Sequence, residues 1–277
     1  YSLISKNDNR PFLADVTAPA GVAKTPAILF THGFKGFKDW GHFDLLATQF
    51  AEAGFTFFKY NISHNGTTVE DPLNFGDLEA FGNNNFTKEL SDVELMINHV
   101  LSNPPKDVSI DESNVFLLGH SRGGGVSLIK AQEDPRIKAV ATWAALGRLR
   151  MNLTEELLRQ WKKDGVFYID NARTGQKMPM YIQGYNDLMT NKVRLDPHRA
   201  VKEMDKPALL IHGDADETVP VQQAFELKEL NPEARLEIIP GANHVFGGSH
   251  PFNSPTLHPH TRIIVDKTIS FFKDQLS

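Results

Sequence analysis

The sequence predicts an α/β fold, in which a mostly parallel sheet carries helices on both faces. Short apolar runs alternate with amphipathic segments along most of the 277 residues, as strands alternate with helices in such folds. Most of the runs are continuously apolar, which is typical of strands covered on both sides. With 40% hydrophobic and 23% charged residues, the chain has the composition of a globular protein with a large core.

Six apolar runs are the predicted strands of this sheet. In chain order they are PAILFTHG (26–33), FTFFKYNI (55–62), NVFLLG (114–119), IKAVATWAAL (137–146), PALLIHG (207–213) and RLEIIPG (235–241). Near the start of the chain, SLIS and FLADVTAP flank the turn-rich sequence KNDNRP. This pattern predicts an antiparallel hairpin at the sheet edge.

Amphipathic helices are predicted between the strands and at the end of the chain. Apolar residues at helical spacing are Leu90, Val93, Ile97, Val100 and Leu101 in one segment, and Val265, Ile269, Phe272 and Leu276 in the last. Thr87 is the predicted N-cap of the first segment, because its hydroxyl can accept a hydrogen bond from a free helical amide.

The segment from Gly147 to Lys206 interrupts the alternation between two strands that should be neighbours. It contains a predicted helix (153–163), a hairpin around DNARTG (170–175) and a helical stretch through RAVKEMD (199–205). An excursion of this length is typical of a lid over a ligand site. We therefore expect residues 1–277 to form a single domain with a lid insertion at about 147–206.

Composition excludes several classes of function. The chain has no cysteine, which rules out disulfides, thiolate metal sites and cysteine nucleophiles. Its 29 basic and 34 acidic residues give no electrostatic case for a nucleic-acid partner or an anionic membrane. No apolar run approaches the roughly 20 residues of a membrane span, and no apolar leader begins the chain. We expect a cytoplasmic protein, with export after removal of a leader as the alternative.

The sequence FLLGHSRGGGVS (116–127) places a serine between a predicted strand and a predicted helix. Gly119 and Gly123 flank Ser121, and glycine at these two positions removes side chains that would clash in a sharp turn. Such a turn exposes the hydroxyl at the carboxyl end of the sheet, beside the free amides of a helix start. Ser121 is therefore the candidate nucleophile, and a plain helix N-cap is the alternative role.

A serine nucleophile needs a base that is itself oriented by a carboxylate. The loop after PALLIHG offers Asp214 and Asp216, and the loop after RLEIIPG offers His244. The chain order Ser, Asp, His, each at the end of a strand, fits a catalytic triad in an open α/β sheet. Asp214 lies at the strand end, where a short carboxylate usually caps the turn, so Asp216 is the predicted triad acid.

The loop HGF after the first core strand supplies a candidate oxyanion hole. The N–H of Phe34 can point at a substrate carbonyl oxygen together with the N–H of Arg122, the residue after the nucleophile. We expect His32 to brace its loop and His120 to pack or form a hydrogen bond within the turn. His258 and His260 are predicted to be solvated loop residues without a matching set of metal ligands. We therefore predict no metal site.

These motifs, HGF, GHSRGG, HGDADETVP and GANHVF in this order, resemble those of the α/β-hydrolase family. Within it the chain is similar to the esterase and prolyl-oligopeptidase-like branch, which includes dienelactone hydrolases and cinnamoyl or feruloyl esterases. The resemblance spans about residue 27 to the end and implies hydrolysis of esters, thioesters, amides or lactones without a metal or organic cofactor. It also implies a triad of Ser121, Asp216 and His244, with Phe34 and Arg122 at the oxyanion hole. The turn YNISHNGTT (60–68) departs from the D-x-R-G-x-G-like turn of many relatives, so their substrate preference does not carry over.

The leading hypothesis is a serine hydrolase that cleaves a small-molecule ester through an acyl-enzyme. A peptidase or aminopeptidase is the alternative, and a non-catalytic binding protein on the same fold is the third. The acidic residues that would hold the amine of a peptidase substrate are Glu70, Asp71, Asp77 and Glu79. Residues that could line an acyl pocket, or else pack in the core, are Phe34, Phe37, Trp40, Met178, Tyr181 and Tyr185. The acyl group, the alcohol group and the oligomeric state do not follow from the sequence.

Overall fold

A computed structural model describes residues 1–21, 24–149 and 153–276. Its strands are β1 (Ser2–Ile4), β2 (Pro11–Thr17), β3 (Thr25–Thr31), β4 (Thr56–Tyr60), β5 (Ile110–His120), β6 (Ala139–Trp143), β7 (Val166–Asn171), β8 (Gln176–Tyr181), β9 (Ala208–Gly213) and β10 (Arg235–Ile239). Eight of them form one sheet in the order β1-β2-β4-β3-β5-β6-β9-β10, and β7 pairs with β8 in a separate sheet. The predicted α/β class is confirmed.

The large sheet is parallel from β4 to β10. The pairs β1–β2 and β2–β4 are antiparallel, so the predicted hairpin lies at the sheet edge. In the centre, Leu117 of β5 lies opposite Leu29 of β3 on one side and Val140 of β6 on the other. Because these strands run in the same direction, the loops after β3, β5, β9 and β10 meet at the carboxyl ends of the strands.

Helices cover both faces of this sheet. They are α1 (Phe43–Glu52), α2 (Leu78–Gly82), α3 (Phe86–Ser102), α4 (Arg122–Glu133), α5 (Glu155–Asp164), α6 (Gln183–Thr190), α7 (Pro197–Glu203), α8 (Gln222–Leu230) and α9 (Pro259–Lys273). Side chains of α3 and α4 pack with Leu29 and Leu117 on one face, whereas those of α1 and α9 pack with Phe30 and Phe116 on the other. In the described ranges, no helix combines the length and the apolar composition needed to cross a membrane.

Two local predictions differ from the structure, and one helix was not predicted. Helix α3 begins after Asn85, whose side-chain oxygen accepts a hydrogen bond from the Lys88 amide at 2.8 Å, so Thr87 is not the N-cap. The Thr87 hydroxyl instead donates to Asp187 at 2.5 Å. Helix α6 was not predicted, because its sequence QGYNDLMT has no clear apolar stripe. Leu276 lies beyond the end of α9.

The excursion between β6 and β9 consists of α5, the antiparallel hairpin β7–β8, α6 and α7. Trp161 of α5 packs edge-on against Phe167 of the hairpin and donates from Nε1 to the Met180 carbonyl at 2.7 Å. A buried cluster joins the hairpin to the loops that follow β3 and β4, and it consists of Phe37, Phe75, Phe81 and Met178. These contacts hold the hairpin beside the carboxyl ends of the strands.

Candidate active site

The turn between β5 and α4 exposes Ser121. Its backbone has φ 56° and ψ −120°, a left-handed conformation that is strained for any residue with a side chain. A Cβ at Gly119 would lie 2.3 Å from the carbonyl oxygen of Gly123, and a Cβ at Gly123 would lie 2.3 Å from that of Thr31. Both glycines are therefore required for the turn, as the spacing predicted. The Ser121 amide donates to the Trp143 carbonyl at 2.8 Å, which fixes the turn to β6.

The structure brings Ser121, His244 and Asp216 into one hydrogen-bonded row. His244 Nε2 lies 2.9 Å from Ser121 Oγ, and His244 Nδ1 lies 2.7 Å from Asp216 Oδ2. The side chain of Asp216 is fully buried, whereas that of His244 is 16% exposed. This geometry lets the imidazole accept the serine proton at Nε2 while the carboxylate holds the proton at Nδ1.

Asp216 remains charged because its surroundings donate hydrogen bonds. Burial alone would raise the pKa of Asp216, but hydrogen bonds from His212, His244 and the Val219 amide outweigh it and hold this pKa well below its usual range. The other carboxylate oxygen, Oδ1, accepts from the amides of Thr218 and Val219, both at 2.8 Å. Asp216 is thus a fixed anion behind His244.

His212 is a supporting residue that the sequence interpretation missed. Its Nε2 lies 2.8 Å from the Val219 carbonyl and 3.2 Å from Asp216 Oδ2, and its side chain is 1% exposed. The imidazole therefore holds the loop that carries Asp216 from inside the sheet. In the sequence, His212 is the polar residue near the end of the apolar run PALLIHG, and nothing there marks it as a residue with a supporting role.

Asp214 occupies a different position from Asp216. Its Oδ1 accepts a hydrogen bond from the Gly241 amide at 2.6 Å. The predicted role was a cap on nearby amides of its own turn; the structure instead shows a bond to the neighbouring loop, which carries His244 three residues later. Asp214 therefore joins the loops after β9 and β10 and does not contact the imidazole.

Two buried histidines support the loops around Ser121. His120 Nε2 donates to the carbonyl of His244 at 2.9 Å, and burial, followed by the neighbouring His244, lowers the pKa of His120 to about 3. His32 Nε2 accepts from the Ile62 amide at 3.2 Å, and burial lowers the pKa of His32 to about 4. Both imidazoles are neutral in the ordinary working range of pH and serve as hydrogen-bonding supports.

The HGF loop lies directly against the serine turn. A Cβ at Gly33 would be 3.0 Å from Ser121 Cβ, so only glycine allows this approach without displacement. Within the described part of the chain, neither the Phe34 amide nor the Arg122 amide donates to a protein acceptor. Both donors are available to a ligand oxygen, as an oxyanion hole requires.

The Arg122 side chain contacts Phe34, the other candidate oxyanion residue, and the sequence does not predict this contact. Its guanidinium lies 2.8 Å from Glu89 in a buried ion pair, and its carbon lies 4.1 Å from the ring centroid of Phe86 and 5.2 Å from that of Phe34. Asn84 donates to Glu89 at 2.7 Å and completes the pair. This packing places the Phe34 ring beside the start of α4.

Two cavities meet at Phe34. The first, here the catalytic cavity, measures about 310 Å³ and is lined by His32, Gly33, Phe34, Lys35, Gly36, Trp40, Phe43, His120, Ser121, Asn171, Ala172, Arg173, His244 and Val245. The second, here the apolar cavity, also measures about 310 Å³ and is lined by Phe34, Asn84, Asn85, Phe86, Arg122, Leu146, Leu153, Leu158, Trp161, Met180, Gly184, Tyr185, Leu188 and Met189.

Of the six residues considered for an acyl pocket, three line a cavity: Phe34, Trp40 and Tyr185. Phe37 and Met178 are fully buried in the core, and the Tyr181 hydroxyl donates to Glu79 at 2.5 Å. His258 and His260 are not the solvated loop residues that were predicted: His258 caps α9, its Nδ1 accepting from the His260 amide at 3.2 Å, and His260 lies in the first turn of this helix. Among the described residues, no group of three or more acidic or histidine side chains is placed to hold a metal ion.

Residues 42–260 match the prolyl oligopeptidase family over most of the chain. The chain belongs to this family. The match assigns it to serine hydrolases with an α/β-hydrolase fold, so the resemblance expected from the motifs is confirmed. The family alone does not separate esters from peptides as substrates.

Solved structures share the fold. Est1E from Butyrivibrio proteoclasticus, with ferulic acid bound, has a TM-score of 0.73 and 18% identity over 99% of this chain and 98% of its own. Dienelactone hydrolase from Anabaena variabilis has a TM-score of 0.62 and 18% identity over 100% and 98%. A puromycin-hydrolyzing peptidase from Mycobacterium tuberculosis has a TM-score of 0.68 and 15% identity over 100% of this chain and 39% of its own. No curated protein matches the chain in sequence.

Proposed function

We propose that this member of the prolyl oligopeptidase family is a carboxylic ester hydrolase that acts through an acyl-enzyme on Ser121. The observation that carries the proposal is the continuous hydrogen-bonded row from Asp216 through His244 to Ser121, which ends at the catalytic cavity. The available amides of Phe34 and Arg122 supply the second requirement, a site for the oxyanion.

In the proposed reaction His244 Nε2 takes the proton of Ser121 Oγ as the oxygen attacks the ester carbonyl. The amides of Phe34 and Arg122 hold the oxyanion of the tetrahedral intermediate. The imidazolium then protonates the leaving alcohol oxygen, and the acyl-enzyme remains. Water repeats the sequence with the same base and releases the acid. Asp216 keeps its charge throughout and stabilises the imidazolium.

The position of His244 indicates where each arm of the ester lies. His244 lines the catalytic cavity and is absent from the described lining of the apolar cavity. Because His244 protonates the leaving oxygen, the alcohol arm occupies the catalytic cavity, and the acyl arm extends past Phe34 into the apolar cavity. The segment at about 147–206 lines parts of both, which supports its role as a lid within a single domain of residues 1–277.

A peptidase remains the second candidate, since one structural neighbour is a puromycin-hydrolyzing peptidase. The acidic loop considered for binding a substrate amine lies elsewhere. Asp77 pairs with Arg10 at 2.6 Å, and Glu79 accepts from Tyr181. Neither cavity has an acidic residue in its described lining, so an ammonium group would enter without a partner. This supports the ester assignment, as does the ferulic acid bound to Est1E.

A matched substrate set tests this assignment. We expect hydrolysis of phenyl hexanoate, and turnover of alanine anilide that is slower by about a hundredfold or more, because its ammonium group lacks a partner in the site. Hexanoic anilide separates the effect of the amide bond from that of the amine. Faster cleavage of alanine anilide than of the hexanoate ester would move the assignment to an aminopeptidase.

The pH profile of kcat/KM tests the identity of the base. We expect kcat/KM to fall by about tenfold per pH unit toward low pH, because general-base catalysis needs a single imidazole in its neutral form. Over the pH range in which kcat/KM falls, Asp216 stays anionic because its pKa is depressed, and His120, with a pKa of about 3, stays neutral. The profile is measured with an uncharged ester, and circular dichroism at each pH excludes unfolding. A fall of about a hundredfold per unit, or no fall, contradicts this assignment.

A further inference from the structure

The catalytic cavity is lined by two cationic side chains. Lys35 follows Phe34 in the HGF loop, and Arg173 lies at the tip of the β7–β8 hairpin. The described lining contains no carboxylate to balance them. Because the chain as a whole has a net charge of −5, this positive lining is a local feature and not a consequence of the overall charge.

Aromatic rings, and not an ion pair, hold Arg173. Its guanidinium carbon lies 5.5 Å from the ring centroids of both Phe37 and Phe75, which are buried in the cluster beneath the hairpin. In the described part of the chain, no carboxylate lies within ion-pair distance of this guanidinium. A guanidinium stacked on rings keeps its N–H edge free for an acceptor.

Lys35 and Asn171 add further hydrogen-bond donors to this lining. Lys35 has φ 57°, a costly conformation for a lysine, and its Nζ donates to the Asp170 carbonyl at 3.4 Å, a long bond that leaves two N–H groups. Asn171 is 5% exposed, and its Nδ2 has no partner among the described residues. The hairpin tip and the HGF loop therefore carry more hydrogen-bond donors than the protein acceptors near them can satisfy.

We infer that the alcohol arm of the substrate carries an anionic group, such as a carboxylate, which binds between Arg173 and Lys35. The apolar acyl arm then occupies the apolar cavity, so the substrate joins an uncharged acid to an anionic alcohol. This inference rests on the proposed function and on the orientation that His244 gives the ester. Arg173 is exposed and partly screened by water. We therefore expect the anionic group to lower KM only moderately, by about tenfold.

The test uses three phenyl hexanoates that differ in charge at one meta position: carboxylate, carboxamide and trimethylammonium. Carboxylate and carboxamide have nearly the same shape, so their comparison isolates charge. We expect a KM for the carboxylate about tenfold below that for the carboxamide, with similar kcat, and a KM for the cation above both. The difference should shrink as salt is added.

Variants assign the charge preference to Arg173. Arg173→Met keeps a flexible side chain against Phe37 and Phe75, and the ratio of the carboxamide KM to the carboxylate KM should fall from about ten toward one, with Lys35 left as the single cation. Arg173→Glu should reverse the preference in favour of the cationic ester. Arg159→Met is the matched control, since Arg159 lies on the exposed face of α5 and pairs with Glu156; its ratio should equal that of the unaltered protein.

Binding separates this inference from the proposed function. The product 3-hydroxybenzoate should bind to the Ser121→Ala variant about tenfold more tightly than 3-hydroxybenzamide in calorimetry, and Arg173→Met should remove the difference. Hydrolysis of all three esters without a charge preference would overturn the inference and leave the proposed function standing. Absence of hydrolysis, with Arg173-dependent binding of the benzoate, would overturn the proposed function and leave only an anion site at Arg173. Equal binding of the two products overturns the inference whatever the activity.

Discussion

Ser121→Ala is expected to abolish ester hydrolysis, with a loss in kcat of at least about ten-thousandfold. The oxygen that His244 Nε2 contacts at 2.9 Å is removed, and the remaining groups hold an ester without a nucleophile. Alanine keeps the Cβ of serine, so the left-handed backbone at this position is strained to the same degree in both proteins. The loss in activity therefore reports chemistry and not folding.

A fluorophosphonate provides an independent readout of the same serine. The reagent should add once to the unaltered protein, and peptide mass analysis should place it on Ser121. Ser249→Ala is the matched control: Ser249 lies exposed on the loop after His244, its hydroxyl donates to the Pro251 carbonyl, and its loss should leave labelling unchanged. Labelling that persists in Ser121→Ala would remove this serine from the mechanism.

The sheet could be predicted from the sequence because its strands are buried on both faces. Runs such as the one around Leu117 must be continuously apolar, and this pattern survives without any knowledge of the fold. The Ser121 turn was predictable for a similar reason. A Cβ at Gly119 or Gly123 would lie 2.3 Å from a backbone oxygen, so this local steric requirement selects glycine at a fixed spacing.

The features that could not be predicted depend on partners distant in the chain. Thr87 is a residue type that often caps helices, but its hydroxyl donates to Asp187, a hundred positions later in the chain. Asn85 caps the helix instead. His212 supports Asp216 from within an apolar strand, where no local pattern marks it. The ion pair between Arg122 and Glu89 forms only when folding brings α4 beside α3. A single sequence carries the spacing of a turn but not the pairing of side chains across the sheet.

Asp216→Asn is expected to lower kcat by on the order of a thousandfold or more. Oδ1 of Asp216 accepts from two amides, those of Thr218 and Val219, so the amide oxygen of the asparagine should take this place. Its NH₂ group then faces His244 Nδ1, which must become the acceptor. The proton of the neutral imidazole moves to Nε2, toward Ser121, and the base can no longer take the serine proton. The substrate still enters the cavity, so KM should change little.

Asp214→Ala is the matched comparison on the same loop. It removes the bond to the Gly241 amide and should cost about 1 kcal/mol in the free energy of unfolding, because that amide can turn to water. Its kcat should stay within about threefold of the unaltered value, since Asp214 does not contact the imidazole. Measuring kcat and the thermal midpoint for both variants decides between the two aspartates. A large loss of kcat in Asp214→Ala, with Asp216→Asn still active, would reassign the triad acid, because an acid that orients His244 cannot be replaced by an amide without changing the tautomer.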